Sequence, residues 1–304
     1  MKVLIANRAE ISERIQRTIA DNRVIFTYSD RNLPFVKKAK NKQEVSSYLA
    51  VDEILEAAKD CEAIHPGYGF LSESAEFAEA VRKAGLVFIG PTPEQMRMFG
   101  EKIAAKEIAR KKNVPTLEQI VIGGQAAAFS LRLLAQTTDP DIPSFIKKHG
   151  FPLLIKASGG GGGRGMRVVK QESELESAID SASKEAQSFF SNPDVFIEPY
   201  LENPRHIEVQ IIGDKFGDLR VLGSRECSIQ RRHQKIIEEA PPLLDEKLLK
   251  DIQNEALKLF SEYHGLATVE FLLEGDKFYF LEVNTRLQVE HPVTEEVTGL
   301  DLVL

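Results

Sequence analysis

The sequence contains no tryptophan and only two cysteines, Cys61 and Cys227. Their separation matches neither a metal-binding motif nor a small disulfide framework, so we expect neither a cysteine metal site nor disulfides to organise the fold. An unpaired cysteine usually behaves as a small apolar side chain, and we expect both to be buried. This cysteine usage is typical of the reducing cytoplasm, which is the localisation we expect.

Positive charge is also scarce, because 39 Lys and Arg stand against 46 Asp and Glu, a formal net charge of -7. A nucleic-acid partner usually requires clustered basic residues in excess. No apolar run reaches the ~20 residues of a membrane helix. The strand-like run Val3–Ala6 directly follows Met1 and Lys2, where an export signal would lie. We therefore expect neither a nucleic-acid nor a membrane partner.

The first hundred residues lack the G-x-G-x-x-G fingerprint of dinucleotide-binding folds, because the first strand runs into Asn-Arg-Ala-Glu at residues 7–10. Short β-rich runs nevertheless alternate with amphipathic helices, which predicts a Rossmann-like α/β domain with a mostly parallel sheet. The predicted strands are Val3–Ala6, Val24–Tyr28, Ala63–His65 and Leu86–Ile89. The predicted helices are Asp52–Lys59, Ser74–Lys83 and Pro93–Lys112.

The pattern changes after a boundary that we place near Val114–Gly123, and the later residues predict an α+β arrangement. One predicted unit contains the strands Leu153–Ala157, Met166–Lys170 and Val195–Leu201 with the helix Glu172–Phe190. Beyond it we predict a helix at Asp245–His264 and a hairpin of Ala267–Glu274 with Lys277–Arg286. The stretch Gly123–Pro143 receives no assigned role.

A run of five glycines lies between two of these strands, within Ser158–Gly165. Glycine leaves the backbone free to close around an anion with its N–H groups, so the run predicts a phosphate-binding lid. It is not a Walker loop, because no Gly-Lys-Ser/Thr follows and Lys156 comes before the glycines. The alternative is a hairpin loop without a ligand.

The predicted hairpin carries carboxylates between apolar residues. If a three-residue turn at Gly275–Lys277 sets the register, Glu270 lies opposite Glu282 with the Cβ atoms about 5 Å apart. Two such carboxylates require a cation, and Mg²⁺ suits oxygen ligands. Glu282, Asn284 and Arg286 share one face because strand side chains alternate. The alternative is a set of exposed ion pairs on an edge strand.

Two further segments carry charge near these strands. The run Arg225–Lys235 holds four basic side chains and a histidine, which favours binding of phosphate and bicarbonate in an otherwise acidic chain. The alternative is a solvated face. Glu290 is a candidate base, and its alternative role is that of a residue at a helix start.

Four segments together resemble the biotin carboxylase family: His65-Pro-Gly-Tyr-Gly-Phe-Leu-Ser-Glu73, Lys156–Met166, Glu226–Lys235 and Glu282–Glu295. The resemblance covers nearly the whole chain. It implies an ATP-grasp protein with a Rossmann-like domain at residues 1–113 and an ATP-grasp domain at residues 114–304. Within the latter it implies a mobile glycine-rich lid at about 124–202 and a catalytic part at 203–304.

The same resemblance implies the site residues. Those that would bind ATP are Lys102, Lys156, Gly162, Gly163, Glu198, Pro199, Tyr200, Leu201, His206, Gln230, His233, Glu270 and Glu282. Glu270, Glu282 and Asn284 would hold Mg²⁺ or Mn²⁺. Lys235, Arg286, Gln288 and Val289 would bind bicarbonate. The catalytic set would be Arg286, Lys235 and Glu290, with Glu290 as the base.

The implied reaction is the ATP-dependent carboxylation of biotin by bicarbonate through carboxyphosphate. No Ala-Met-Lys-Met attachment motif is present, so biotin would arrive on a carrier protein or domain. The resemblance further implies a carboxyltransferase subunit or domain as a partner, and a homodimer as a candidate assembly. One alternative is another ATP-grasp ligase, such as half of a carbamoyl-phosphate synthetase. The other is an inactive fragment, or a non-catalytic nucleotide-binding assembly subunit, that another chain completes.

The family continues beyond the point where this sequence stops, so we expect a C-terminally truncated catalytic domain. The apolar residues Leu300, Leu302, Val303 and Leu304 predict a helix at the end of the sequence.

Overall fold

The computed structural model describes residues 1–19, 24–122, 142–157, 166–190, 193–232 and 234–304. Within these ranges the strands form one parallel sheet, two four-stranded antiparallel sheets and a two-stranded hairpin. The predicted combination of an α/β part with an α+β part is therefore confirmed.

The parallel sheet is built from the first residues in the order β3-β2-β1-β4-β5. Its strands are β1 (Val3–Ile5), β2 (Val24–Tyr28), β3 (Lys42–Glu44), β4 (Ala63–His65) and β5 (Val87–Phe88). Its helices are α1 (Ala9–Thr18), α2 (Pro34–Lys38), α3 (Val51–Ala57) and α4 (Ala75–Lys83). Leu4 and Ile5 are fully buried, as expected of a strand that helices cover on both faces.

Residues 93–111 form two helices, α5 (Pro93–Gly100) and α6 (Lys102–Lys111), so the prediction of a single helix is wrong. Glu101 between them has extended backbone angles, and Gly100 is a poor helix former. The break turns α6 against a later sheet: Ala105 and Ala109 share a core with Val269 and Phe280.

The second sheet, here called the lid sheet, has the order β6-β9-β7-β8. Its strands are β6 (Ile120–Ile122), β7 (Leu153–Ala157), β8 (Arg167–Val169) and β9 (Val195–Pro199). Two helices, α7 (Ile142–His149) and α8 (Glu172–Phe190), pack their apolar faces on it. The predicted small α+β unit is confirmed in the described residues.

The third sheet, here called the long-strand sheet, has the order β11-β10-β14-β15. Its strands are β10 (Arg205–Gly213), β11 (Leu219–Glu226), β14 (Gly265–Glu274) and β15 (Lys277–Asn284). The hairpin of β12 (Gln230–Arg231) and β13 (Gln234–Lys235) follows β11. Helix α9 (Glu246–Lys258) packs on one face, and helix α10 (His291–Thr298) follows β15.

The turn between β14 and β15 differs from the prediction. Glu274 pairs with Lys277, so two residues form the turn where three were predicted. A β-bulge next to Phe271 then shifts the register by one residue, and Glu270 pairs with Glu282 after all. The predicted carboxylate pair is confirmed, although its register depends on the bulge.

The last residues form no helix, contrary to the prediction, because α10 stops at Thr298 with Gly299 in the left-handed region. Leu302 and Val303 instead pack with Ile11 and Ile15 of α1. Both cysteines are buried and unpaired, as predicted. Among the described residues, none of the helices has the length and apolar character needed to cross a membrane.

Candidate active site

Four charged side chains form a row across the long-strand sheet. Glu208 of β10 pairs with Arg225 of β11 on one side and with Glu270 of β14 on the other, and Glu270 pairs with Glu282 of β15. Directly paired residues project to the same face of a sheet. The pairing therefore places one cation and three carboxylates side by side, and additional cations have to balance them.

Lys235 supplies the first of these cations. Its Nζ donates to Glu270 Oε1 at 2.9 Å and to Glu290 Oε1 at 2.6 Å, and it also contacts Glu208. Burial alone would lower the pKa of Lys235, but the three carboxylates reverse the effect and raise it. The ammonium is therefore a fixed positive charge that joins β10, β14 and the start of α10.

Glu270 is the most densely contacted acid of the row. Asn284 Nδ2 donates to its Oε1 at 2.8 Å, and His206 Nε2 lies 2.8 Å from its Oε2. Burial would raise the pKa of this carboxyl group, yet His206 and Lys235 lower it. Ligand atoms of His206, Glu208 and Glu270 all lie within 4.8 Å of one another, a grouping that differs from the predicted metal set.

Lys102 and Lys156 reach the site from different elements. Lys102 of α6 places its Nζ 2.7 Å from Glu282 Oε2. Lys156 of β7 contacts Glu198 of β9, which also binds Lys106 at 2.5 Å. Each lysine that was predicted to hold phosphate therefore has a carboxylate partner in this structure.

The segment after β15 carries the predicted bicarbonate residues. Arg286 Nε donates to Glu73 Oε2 at 2.9 Å, and its Nη1 donates to Gln288 Oε1 at 3.1 Å. Val289 is exposed at 58%. Glu290 stands at the N-cap of α10, as its helix-start alternative predicted, while its carboxylate contacts Lys235. Glu290 therefore combines a helix-start position with a contact to a buried cation.

The predicted hinge lies at the end of β9, where Pro199 pairs with Leu153 and the Tyr200 N–H donates to Pro152 O at 3.2 Å. Leu201 follows outside the strand. Gln230 contacts His206, a neighbour of the row, because its Nε2 donates to His206 Nδ1 at 2.9 Å. The Glu270 carboxylate raises the pKa of His206, against the effect of burial.

Three predicted ligands, Gly162, Gly163 and His233, lie outside the described residues. The alternative for the basic run Arg225–Lys235 was a face exposed to solvent. Arg231 and Arg232 are exposed, but Arg225 is fully buried, so the alternative is wrong for Arg225. The alternative for the carboxylate hairpin was a set of exposed ion pairs on an edge strand. β15 does lie at the edge of its sheet, but Glu270 is only 4% exposed, so the alternative is wrong for that residue.

Three residues that contact the site were not predicted, namely Glu73, Lys106 and Glu208, and Arg225 was predicted only as a member of the basic run. A signal existed for Glu208, because His206, Glu208 and Gln210 alternate with isoleucine and valine in β10. Such alternation places polar residues on one face. Glu73 and Lys106 gave no such signal, because their partners lie far away in sequence.

Comparison with known proteins agrees with this geometry. Residues 1–96 match the family model "Biotin carboxylase, N-terminal domain", and residues 122–304 match "Carbamoyl-phosphate synthase L chain, ATP binding domain". The biotin carboxylase of Halalkalibacterium halodurans is 47% identical over 318 residues, which cover 99% of this chain and 68% of that protein.

Two solved structures are similar throughout the chain. The Campylobacter jejuni biotin carboxylase in its beta-gamma-ATP complex has a TM-score of 0.89 and 41% identity over 99% of this chain and 69% of that one. The biotin carboxylase domain of Hydrogenobacter thermophilus 2-oxoglutarate carboxylase, a dimer with MgADP and bicarbonate, has a TM-score of 0.88 and 37% identity over 99% and 67%.

The parallel sheet, the lid sheet and the long-strand sheet thus define an ATP-grasp enzyme. The chain belongs to the biotin carboxylase family.

Proposed function

We propose that this protein carboxylates biotin with bicarbonate at the expense of ATP, and that the row of charges on the long-strand sheet is its active site. The observation that supports the proposal most directly is the contact between Lys235 and Glu290 at 2.6 Å. A cation beside a carboxylate can hold an anionic substrate and remove its proton. Bicarbonate requires both actions before it can attack a phosphoryl group.

The donor chemistry of the site fits a divalent metal ion. Glu270 and Glu282 are directly paired, and Asn284 lies two residues beyond Glu282 on the same face. These oxygens would hold Mg²⁺ or Mn²⁺, which neutralises phosphate charge when it is bound. Lys102 and Lys156, together with the lid glycines Gly162 and Gly163, would hold the phosphates. The hinge Glu198–Leu201 with His206, Gln230 and His233 would hold the adenosine part.

In the proposed reaction, Lys235 and Arg286 orient bicarbonate with Gln288 and Val289, and Glu290 accepts its proton. A bicarbonate oxygen then attacks the γ-phosphorus of ATP, which gives carboxyphosphate and ADP. Carboxyphosphate splits into CO₂ and phosphate, the phosphate takes the proton of the biotin ureido nitrogen, and the biotin enolate attacks CO₂. Arg286 would stabilise the negative charge of that enolate.

The partners follow from the same chemistry. Biotin would be presented by a carrier protein or domain, and carboxybiotin would be consumed by a carboxyltransferase. The division into domains at residues 113 and 114, with a lid at about 124–202, remains part of this proposal, as does a cytoplasmic location.

The test is phosphate release from ATP with Mg²⁺, measured with and without bicarbonate and with and without free biotin. We expect bicarbonate-dependent release that biotin increases. Replacing Glu290 with Gln should lower that release about 100-fold or more, because the base is lost while ATP binding is retained. Glu296→Gln is the matched control, because Glu296 is an exposed residue of the same helix.

ATP binding without bicarbonate-dependent release would contradict the proposal and favour the nucleotide-binding subunit. Release by Glu290→Gln at the unchanged rate would remove Glu290 from the mechanism and leave the remaining assignments in place.

A further inference from the structure

Arg225 has the largest fully buried side chain among the described residues and has no role in the reaction proposed above. Its Nε donates to Glu208 Oε1 at 2.5 Å. Its Nη1 donates to Gln210 Oε1 at 3.1 Å and to Thr294 Oγ1 at 2.5 Å. A buried guanidinium loses its hydration on folding, so its hydrogen bonds have to be well placed to stabilise it.

Two of these contacts lead to the two members of the Lys235–Glu290 pair. Glu208 uses its other oxygen, Oε2, to accept from Lys235. Thr294 lies in the second turn of α10, the helix that begins directly after Glu290. One guanidinium therefore connects the carboxylate that holds Lys235 to the helix that places Glu290.

Charge balance explains why a cation is needed at this point. Lys235 is shared among Glu208, Glu270 and Glu290, so its position is set by the competing attraction of three carboxylates. Glu208 is 0% exposed, and an uncompensated buried carboxylate attracts any nearby cation strongly. Arg225 neutralises Glu208 from the opposite side, which leaves Lys235 available to Glu290.

We propose that Arg225 is a positioning residue for the carboxylation reaction, which keeps Lys235 within hydrogen-bond distance of Glu290 through Glu208 and Thr294. The inference rests on the proposed function. It adds a residue that acts through others: Arg225 sets the geometry of the base and the cation that bind bicarbonate, and it leaves the ATP contacts on α6 and the lid sheet unchanged.

The experiment compares three variants with the unaltered chain. Thr294→Val removes the hydroxyl acceptor at nearly constant volume, Thr294→Ser retains a hydroxyl, and Arg225→Lys keeps the charge without the planar fork. Arg220→Lys is the matched control, because Arg220 lies on the same strand with its side chain 73% exposed. Each protein is assayed for kcat, for KM of bicarbonate and for KM of ATP.

For Arg225→Lys and Thr294→Val we expect kcat divided by the bicarbonate KM to fall about 10- to 100-fold, since displacements of about 1 Å have such effects. The KM of ATP should stay within about twofold, and Thr294→Ser should restore most of the loss relative to Thr294→Val. Crystal structures of the variants should show the 2.6 Å Lys235–Glu290 contact lengthened or lost.

Equal losses for bicarbonate and ATP, with the Lys235–Glu290 contact retained, would overturn the inference and leave Arg225 as a core residue. Unchanged kinetics of Arg225→Lys would overturn it as well. If the unaltered chain shows no bicarbonate-dependent ATP cleavage, the proposed function fails, and the variant crystal structures then decide the positioning role alone. Should Arg225→Lys fail to fold, the Thr294 pair supplies the same comparison.

Discussion

At the scale of single residues, His65 shows how burial sets a protonation state. It ends β4, and its Nδ1 accepts from the Gly67 N–H at 3.0 Å, which holds the proton of the neutral ring on Nε2. Burial, and second the proximity of His291, lower the pKa of His65 from 6.5 to about 4. The folded protein therefore keeps this ring neutral at pH values where the unfolded chain protonates it.

This difference predicts a loss of stability on acidification. Between pH 6.5 and about 4 the unfolded chain binds a proton at His65 that the folded chain does not, so the free energy of unfolding falls as the pH falls. The full effect is at most about 3 kcal/mol. His65→Asn retains an acceptor for Gly67 and cannot titrate, so its urea midpoint should change less between pH 7 and pH 4.5.

The exposed His264 supplies the control, and His264→Asn should follow the unaltered chain at both pH values. An identical pH dependence in His65→Asn would show that other groups cause the acid sensitivity.

At the scale of elements, α6 presents two lysines one turn apart to two different sheets. Lys102 reaches Glu282 on the long-strand sheet, and Lys106 reaches Glu198 on the lid sheet. Lys106 also lies 4.9 Å from the centre of the Phe196 ring. Burial lowers the pKa of Lys106 although Glu198 opposes the effect. The helix is therefore a charged connection between the two sheets.

Breaking this connection should destabilise the protein. In Lys106→Met, Glu198 keeps Lys156 as its cation partner, so only a hydrogen bond to a charged group is lost, and we expect the free energy of unfolding to fall by about 2 kcal/mol. Because Lys156 is then bound more firmly by Glu198, the KM of ATP should rise severalfold. Urea unfolding and steady-state kinetics measure the two effects.

Lys111→Met is the matched control, because Lys111 is exposed in the last turn of the same helix. A midpoint of Lys106→Met equal to that of Lys111→Met would contradict a stabilising role for the buried pair.

Elements with a clear apolar period could be predicted from the sequence. Three strands have the predicted bounds: Val24–Tyr28, Ala63–His65 and Leu153–Ala157. Strands that are buried on both faces have largely apolar sequences, which makes them easy to identify. The bulge next to Phe271 could not be predicted, since it depends on packing around the hairpin. The same holds for Glu73, whose partner Arg286 lies 213 residues away.

At the scale of the whole molecule, the groups proposed to bind ATP and its metal ion come from three separate parts of the fold. Lys102 belongs to α6, Lys156 to the lid sheet and Glu282 to the long-strand sheet. Lys102 contacts Glu282, and Lys156 contacts Glu198. Nucleotide binding would exchange these partners, because phosphates attract the lysines and a metal ion attracts Glu282.

This exchange predicts that Mg²⁺ and nucleotide reinforce each other. The phosphates draw Lys102 away from Glu282, which frees the carboxylate for the metal, and the metal in turn frees Lys102. In thermal unfolding, the Tm increase with both a non-hydrolysable ATP analogue and Mg²⁺ should exceed the sum of the separate increases. Glu282→Gln should abolish most of the excess Tm increase and keep the Tm increase caused by nucleotide alone.

Glu274→Gln, at an exposed position of the same hairpin, is the control and should behave like the unaltered chain. Additive shifts in the unaltered chain would mean that the three parts bind their ligands independently, whereas a full excess in Glu282→Gln would place the metal on other residues.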